Sequence, residues 1–141
     1  MNTFFKDNQS LIAPVARVLL ALIFIMAGLQ KIPGYAGTQG YMEAMGVPGA
    51  LLPVVIALEV LGGLAVAIGW QARIAAFLLA GFSVLSGVMF HLISGLSMSG
   101  MEAQMQTIMF MKNLAIAGGL LMVVALGAGP VSLAGRQEQP A

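Results

Sequence analysis

The 141-residue chain has no cysteine, a single histidine, a single tryptophan and only 8% charged residues. Without thiols it has no disulfide framework, no thiol–disulfide exchange, no iron–sulfur cluster and no thiolate metal site. One histidine permits no H-x-x-x-H pair. G-x-S-x-G, a P-loop and a dinucleotide fingerprint following a strand are likewise missing. A self-contained hydrolase or kinase is not expected. Net charge is only +1, with no basic block and no interleaving of basic and aromatic residues, so nothing points to nucleic acid.

What the chain has in abundance is apolar surface. Sixty per cent of its residues are hydrophobic, and the mean hydropathy is +0.97, far outside the range of a soluble domain. Its length predicts one domain, residues 1–141. Runs of roughly 18 or more apolar residues are needed to cross about 30 Å of hydrocarbon. Four such runs occur, at 11–29, 51–70, 74–93 and 108–126, separated by "QKIPGYAG", "WQAR" and "SGLSMSG". The expected fold is all-α: a polytopic four-helix membrane bundle with a tight hairpin between the second and third spans. The first run lacks a small-x-small cleavage site and exceeds a typical signal-peptide core, so it reads as an uncleaved span. A polar tail follows at 135–141.

Basic residues in the short connections set the orientation. Lys6, Arg17, Arg73 and Arg136 fall on one side, and Lys31 and Lys112 on the other. This places both termini in the cytoplasm. The far side then carries two longer connections, 30–50 and 94–107, each expected to contain a short interfacial helix. Small residues that let backbones approach in lipid occur at Gly62, Gly63 and Ala67, at Ala76 and Ala80, and at Ala115, Gly118 and Gly119.

Polar residues within the spans carry the functional signal. Glu59 sits in the middle of "PVVIALEVLGGLAVAIG", where an unpaired charge is expensive. Arg17 lies roughly 9 Å deep in the first span and Glu59 roughly 16 Å deep in the second, a gap of about 7 Å. An arginine side chain spans that gap, so an Arg17–Glu59 ion pair is the expected accommodation. Glu59 then has two compatible readings: a buried pair that specifies packing, or a carboxylate that handles protons or ligand in a polar cavity.

A second group lies at the far-side ends of the spans: Lys31, His91, Lys112 and Asn113, with Tyr35 and Tyr41 in the adjacent connection. Around one bundle mouth, these cations, imidazole, amide and phenols suit an anion or a quinone-like headgroup. The alternative is that the lysines snorkel and His91 rests among lipid headgroups. Methionine forms a third pattern. Met98, Met101, Met105 and Met109 follow helical i, i+3, i+4 spacing. Thioethers suit Cu(I), although a flexible apolar stripe is the more ordinary use. No metal site is otherwise expected.

The stretches "RVLLALIFIMAGLQKIPGYAGTQGYMEAMGVP", "LEVLGGLAVAIGWQARIAAFLLA" and "MFMKNLAIAGGLLMVVALGAGPVSLAG" together resemble the DoxX family of small four-span bacterial membrane proteins. The resemblance covers about residues 14 to 134. It rests on the ordered set Arg17, Gly28, Lys31, Glu59, Gly63, Gly69, Arg73, Lys112, Asn113 and Gly118. It implies a bacterial inner-membrane bundle and a redox association, because the family is named after a subunit of a quinone-reducing oxidoreductase. Quinone is the implied cofactor, and a membrane or periplasmic oxidoreductase the implied partner. The alternative is a non-catalytic scaffold or small-ligand-binding protein whose buried charges only organise the bundle, and a homo-oligomer is a further partner expectation. Where relatives often end in S-L-D, this chain has Ser132, Leu133 and Ala134. The lack of cysteine also excludes a dithiol mechanism.

Overall fold

A computed structural model describes residues 2–134. The tail at 135–141, including Arg136, lies outside the described residues. Within them the chain is helical throughout, without strands: α1 Asn2–Asp7, α2 Gln9–Lys31, α3 Tyr35–Ala44, α4 Leu52–Ile68, α5 Ala72–Ser86, α6 Ile93–Leu96 and α7 Gly100–Leu126. A 3-10 turn, Gly49–Leu51, leads into α4, and a π turn, Gly87–Leu92, joins α5 to α6. Four segments are long and apolar enough to cross a membrane: Gln9–Lys31, Gly49–Ile68, Ala72–Leu96 and Gly100–Leu126. Their shared end that holds the N-terminal helix and the turn after Leu126 is called here the near face. The opposite end is the far face.

The far-face connections differ from one another. The first contains the separate helix α3, as the sequence predicts. The second has no independent helix, because α6 continues the third span and α7 already begins at Gly100. The polar stretch "GMEAQMQT" winds on into the apolar run, since neither proline nor glycine interrupts it after Gly100.

Packing is serial. Helix α2 packs on α4, α4 on α5, and α5 on α7, whereas α2 and α7 barely touch. The core is built from small side chains, Ala21, Ala76, Ala80 and Ala117, around Val66, Leu79 and Leu120. Between α2 and α4 the backbones approach closely. A Cβ on Gly28 would lie 2.6 Å from Val60 Cγ2, and one on Gly63 would lie 2.8 Å from Ile25 Cγ1. That is the small-residue packing expected where lipid supplies no hydrophobic drive between helices. Gly119 approaches Leu20 on α2, but Gly118 faces open space. At the hairpin, Gly69 takes a left-handed φ of 74° and ends α4, and the Trp70 amide closes back onto the Ala65 carbonyl at 2.9 Å.

The expected Arg17–Glu59 pair does not form. Arg17 is 4% exposed, and its guanidinium donates from Nη1 to the Ala128 carbonyl at 2.6 Å and from Nη2 to the Val131 carbonyl at 2.7 Å. The reason is directional. A helical side chain leans toward the N-terminus of its own helix. On α2 that lean carries Arg17 toward the near face. On the antiparallel α4 it carries Glu59 toward the far face. The depth gap measured between their backbones therefore widens at their charged ends. Arg17 instead ties down the turn after α7, where the Ala134 amide also donates to the Gly69 carbonyl at 3.1 Å.

Candidate functional site

Glu59 is 4% exposed and meets Lys31. Lys31 closes α2, so the same lean that draws Arg17 away draws the Lys31 ammonium down into the bundle. Its Nζ donates to Glu59 Oε1 at 3.0 Å and to the Ala27 carbonyl at 3.3 Å. Glu59 Oε2 lies 2.8 Å from the ammonium as an ion contact, yet its angle leaves this buried oxygen without a hydrogen bond. Gly28 makes the pairing feasible. A Cβ there would stand 3.1 Å from Glu59 Cβ, so only glycine lets α2 pass this close above the carboxylate.

The pair forms one wall of a cavity of about 440 Å³. That volume falls within the roughly 300–1,000 Å³ of small-molecule sites. His91, Lys112 and Asn113 line the same cavity, so all five candidate ligand residues converge there. The remaining wall is mostly apolar, with Phe24, Val55, Leu85 and Ile116 among its residues.

His91 is presented by the π turn, a rare winding that recurs at functional positions. Its Nδ1 lies 2.8 Å from Gln106 Oε1. With the amide in this orientation Nδ1–H is the donor, and the tautomer sets which ring nitrogen is left to accept. The turn also lays Gly87 against α7, where a Cβ would be 3.0 Å from Asn113 Cβ. Lys112 is exposed, and its Nζ touches only the soft Met109 sulfur, at 3.2 Å. A thioether is a weak acceptor, so this cation keeps most of its donor capacity.

Helix α3 roofs the cavity. Thr38, Tyr41 and Met42 line it from above, and Tyr41 stacks on Phe90 of the π turn at 5.5 Å between ring centroids. Tyr35 lies outside the lining. The hydroxyl residues Ser83 and Ser86 also line the cavity and went unrecognised in the sequence, although two serines at i, i+3 in an apolar span are a legible polar face. Gln106 was missed as well. It lies two helical turns before Asn113, on the same face.

The methionine pattern is broken. Met98 precedes α7, so only Met101, Met105 and Met109 share its surface, and the first two point outward. Among the described residues, no three His, Asp or Glu side chains converge as a metal-binding group. A hollow of about 510 Å³ on the near face, lined by Trp70, Arg73 and the turn after α7, includes no buried titratable group.

Comparison with known proteins places this architecture. The DoxX family model matches residues 12–92. The chain is 49% identical to inner membrane protein YqjF of Escherichia coli (strain K12), over 84% of this chain and 86% of that protein. This chain belongs to the DoxX family. It is also 33% identical to inner membrane protein YphA of the same organism, over 94% of this chain and 98% of that protein. With "Putative oxidoreductase CatD" of Bacillus subtilis (strain 168) it shares 34% identity over 57% of each chain. No solved structure matches. Within DoxX, the four apolar spans and these relatives identify a multi-pass inner-membrane protein. The family match spans Arg17, Lys31, Glu59 and His91 and stops short of Lys112 and Asn113.

Proposed function

We propose that this DoxX protein is a quinone-linked membrane subunit whose far-face cavity holds the ring of a membrane quinone. The observation that carries this reading is the convergence of Lys31, Glu59, His91, Lys112 and Asn113 on one largely apolar cavity. A quinone needs apolar walls for its ring and donors for its two carbonyl oxygens. Lys112 Nζ and Asn113 Nδ2 are available donors. The sequence carries no recognisable electron-carrier motif, so on this reading electrons come from a partner oxidoreductase, and the sequence similarity to "Putative oxidoreductase CatD" agrees with that setting. The excess of Lys and Arg in the connections on the side of the N-terminus favours both termini in the cytoplasm and, with them, the cavity on the periplasmic side.

The test is the quinone content of protein purified from native membranes in a mild detergent, quantified after solvent extraction. About stoichiometric quinone in the parent and a clear drop in Asn113→Leu support the reading. Bulk phospholipid alone defeats it.

One observation favours a second reading. The Lys31–Glu59 contact is closed at 2.8 Å and would organise the bundle without any ligand. On that reading the protein is a non-catalytic scaffold. Protein carrying no quinone and no stoichiometric redox partner, yet unfolding when the pair is split, supports it.

A further inference from the structure

The cavity is roofed by α3 at the far face and flanked by the apolar spans. Its roof is fastened at several points. Met42 is 5% exposed, Tyr41 stacks on Phe90, and Gln39 Nε2 donates to the Gly49 carbonyl at 3.2 Å. The Ser94 hydroxyl reaches the Met45 sulfur at 3.8 Å. The side between α2 and α7 has no comparable closure. These helices approach at Leu20 and Gly119, where a Cβ on the glycine would meet Leu20 Cδ1 at 3.4 Å. Over their whole lengths these two helices barely touch. Ile23 and Ala27 on α2, and Lys112 and Ile116 on α7, all line the cavity. Ile23 is also 38% exposed, so a cavity-lining side chain here is not sealed beneath its neighbours.

We propose that the cavity is filled sideways from the hydrocarbon, through a portal between α2 and α7 bounded by Ile23, Ala27 and Ile116. Its occupant is an amphiphile: a polar head at the Lys31, Glu59, Lys112 and Asn113 end and a long apolar tail left in the portal. This deepens the proposed cavity function, and it specifies a ligand class that a small water-soluble quinone does not satisfy. The arrangement follows from solvation. A tail lying between Ile23 and Ile116 never leaves an apolar medium, whereas passage under α3 would carry it through water. The polar head meets Lys112, whose donors are nearly free, without needing to break the Lys31–Glu59 pair.

The test is photolabelling of the full-length protein in native membrane vesicles with two probes. One is a long-chain quinone with a diazirine on its tail, and the other is a fatty acid with the same tail and diazirine. Labelled residues are mapped by mass spectrometry. The expected result is labelling of Ile23, Ala27 and Ile116 several-fold above equally lipid-facing positions such as Leu61 and Phe77, which are 65% and 63% exposed. Excess unlabelled long-chain ligand should suppress it. If the fatty acid labels the portal and the quinone does not, sideways loading stands and the quinone assignment falls. Labelling that simply follows lipid exposure, or that centres on Thr38 and Tyr41 under the roof, overturns the proposal. In Ile116→Trp, which narrows the portal, label at Ile23 should fall several-fold, while Leu61→Trp leaves it unchanged. Equal labelling in both variants would also overturn the proposal.

Discussion

The two ends of this bundle handle buried charge in opposite ways. On the near face, Arg17 is directed onto two main-chain carbonyls, and Arg17, Ser132 and Ala128 crowd around Gly69. On the far face, the charges meet other side chains and border empty volume. A guanidinium locked to backbone is a fastening. Arg17 keeps one buried nitrogen, Nε, without a partner but lines neither cavity, whereas the Lys31–Glu59 pair, His91 and Lys112 all border one. Intramembrane charge is a functional pointer by default, but here only one of the two buried charges fits that description.

Splitting the far-face pair should have the largest effect. Lys31→Met leaves Glu59 buried and uncompensated, and is expected to cost about 3–5 kcal/mol, seen as a lower unfolding temperature in detergent. Adding Glu59→Leu should restore most of that loss. A double variant no more stable than the single would remove the pair from the account. Arg17→Lys comes next, because an ammonium replaces a fork that reaches two carbonyls at once. Loss of one charge-assisted bond is expected to cost about 2 kcal/mol and to expose the turn after α7 to protease. Far-face quinone content should not change, and a parallel loss of quinone would erase the contrast between the ends.

Gly69→Ala tests the near face more gently. It forces a Cβ into a left-handed position against Ser132 Cβ and 2.8 Å from Arg17 Nη1, and at least about 1–2 kcal/mol of destabilisation is expected by thermal unfolding. Asn113→Leu has the smallest expected effect on stability, within about 0.5 kcal/mol. Its retained quinone should bind about tenfold more weakly, or about 1.4 kcal/mol, as expected for one lost hydrogen bond. Unchanged binding would detach Asn113 from the cavity's chemistry.

Much of this was legible in residue order. The four spans, the Gly69 hairpin and the gathering of Lys31, His91, Lys112 and Asn113 at one mouth follow from hydrophobic run length and from antiparallel alternation. The partners of the two buried charges did not follow. Depth counted along the axis treats a side chain as standing at the height of its Cα, whereas Arg17, Lys31 and Glu59 all lean toward their own helix starts. Including that lean would have replaced Arg17 with Lys31 as the partner of Glu59. The carbonyls of Ala128 and Val131 had no signal at all, because backbone acceptors in an irregular turn are invisible to residue type. The start of α7 at Gly100 was masked by polar residues that end the hydrophobic run but not the helix.

The π turn at Gly87–Leu92 gives the third span one surplus residue relative to regular winding. Winding the same residues as regular α-helix, with none removed, would turn what lies in and beyond this stretch by up to roughly 100° about the axis. His91 would then swing away from Gln106, and Phe90 would leave the underside of Tyr41. The position of the imidazole is thus encoded by a count of residues as much as by their identity, and the one extra residue that the π turn absorbs is what aims it into the mouth.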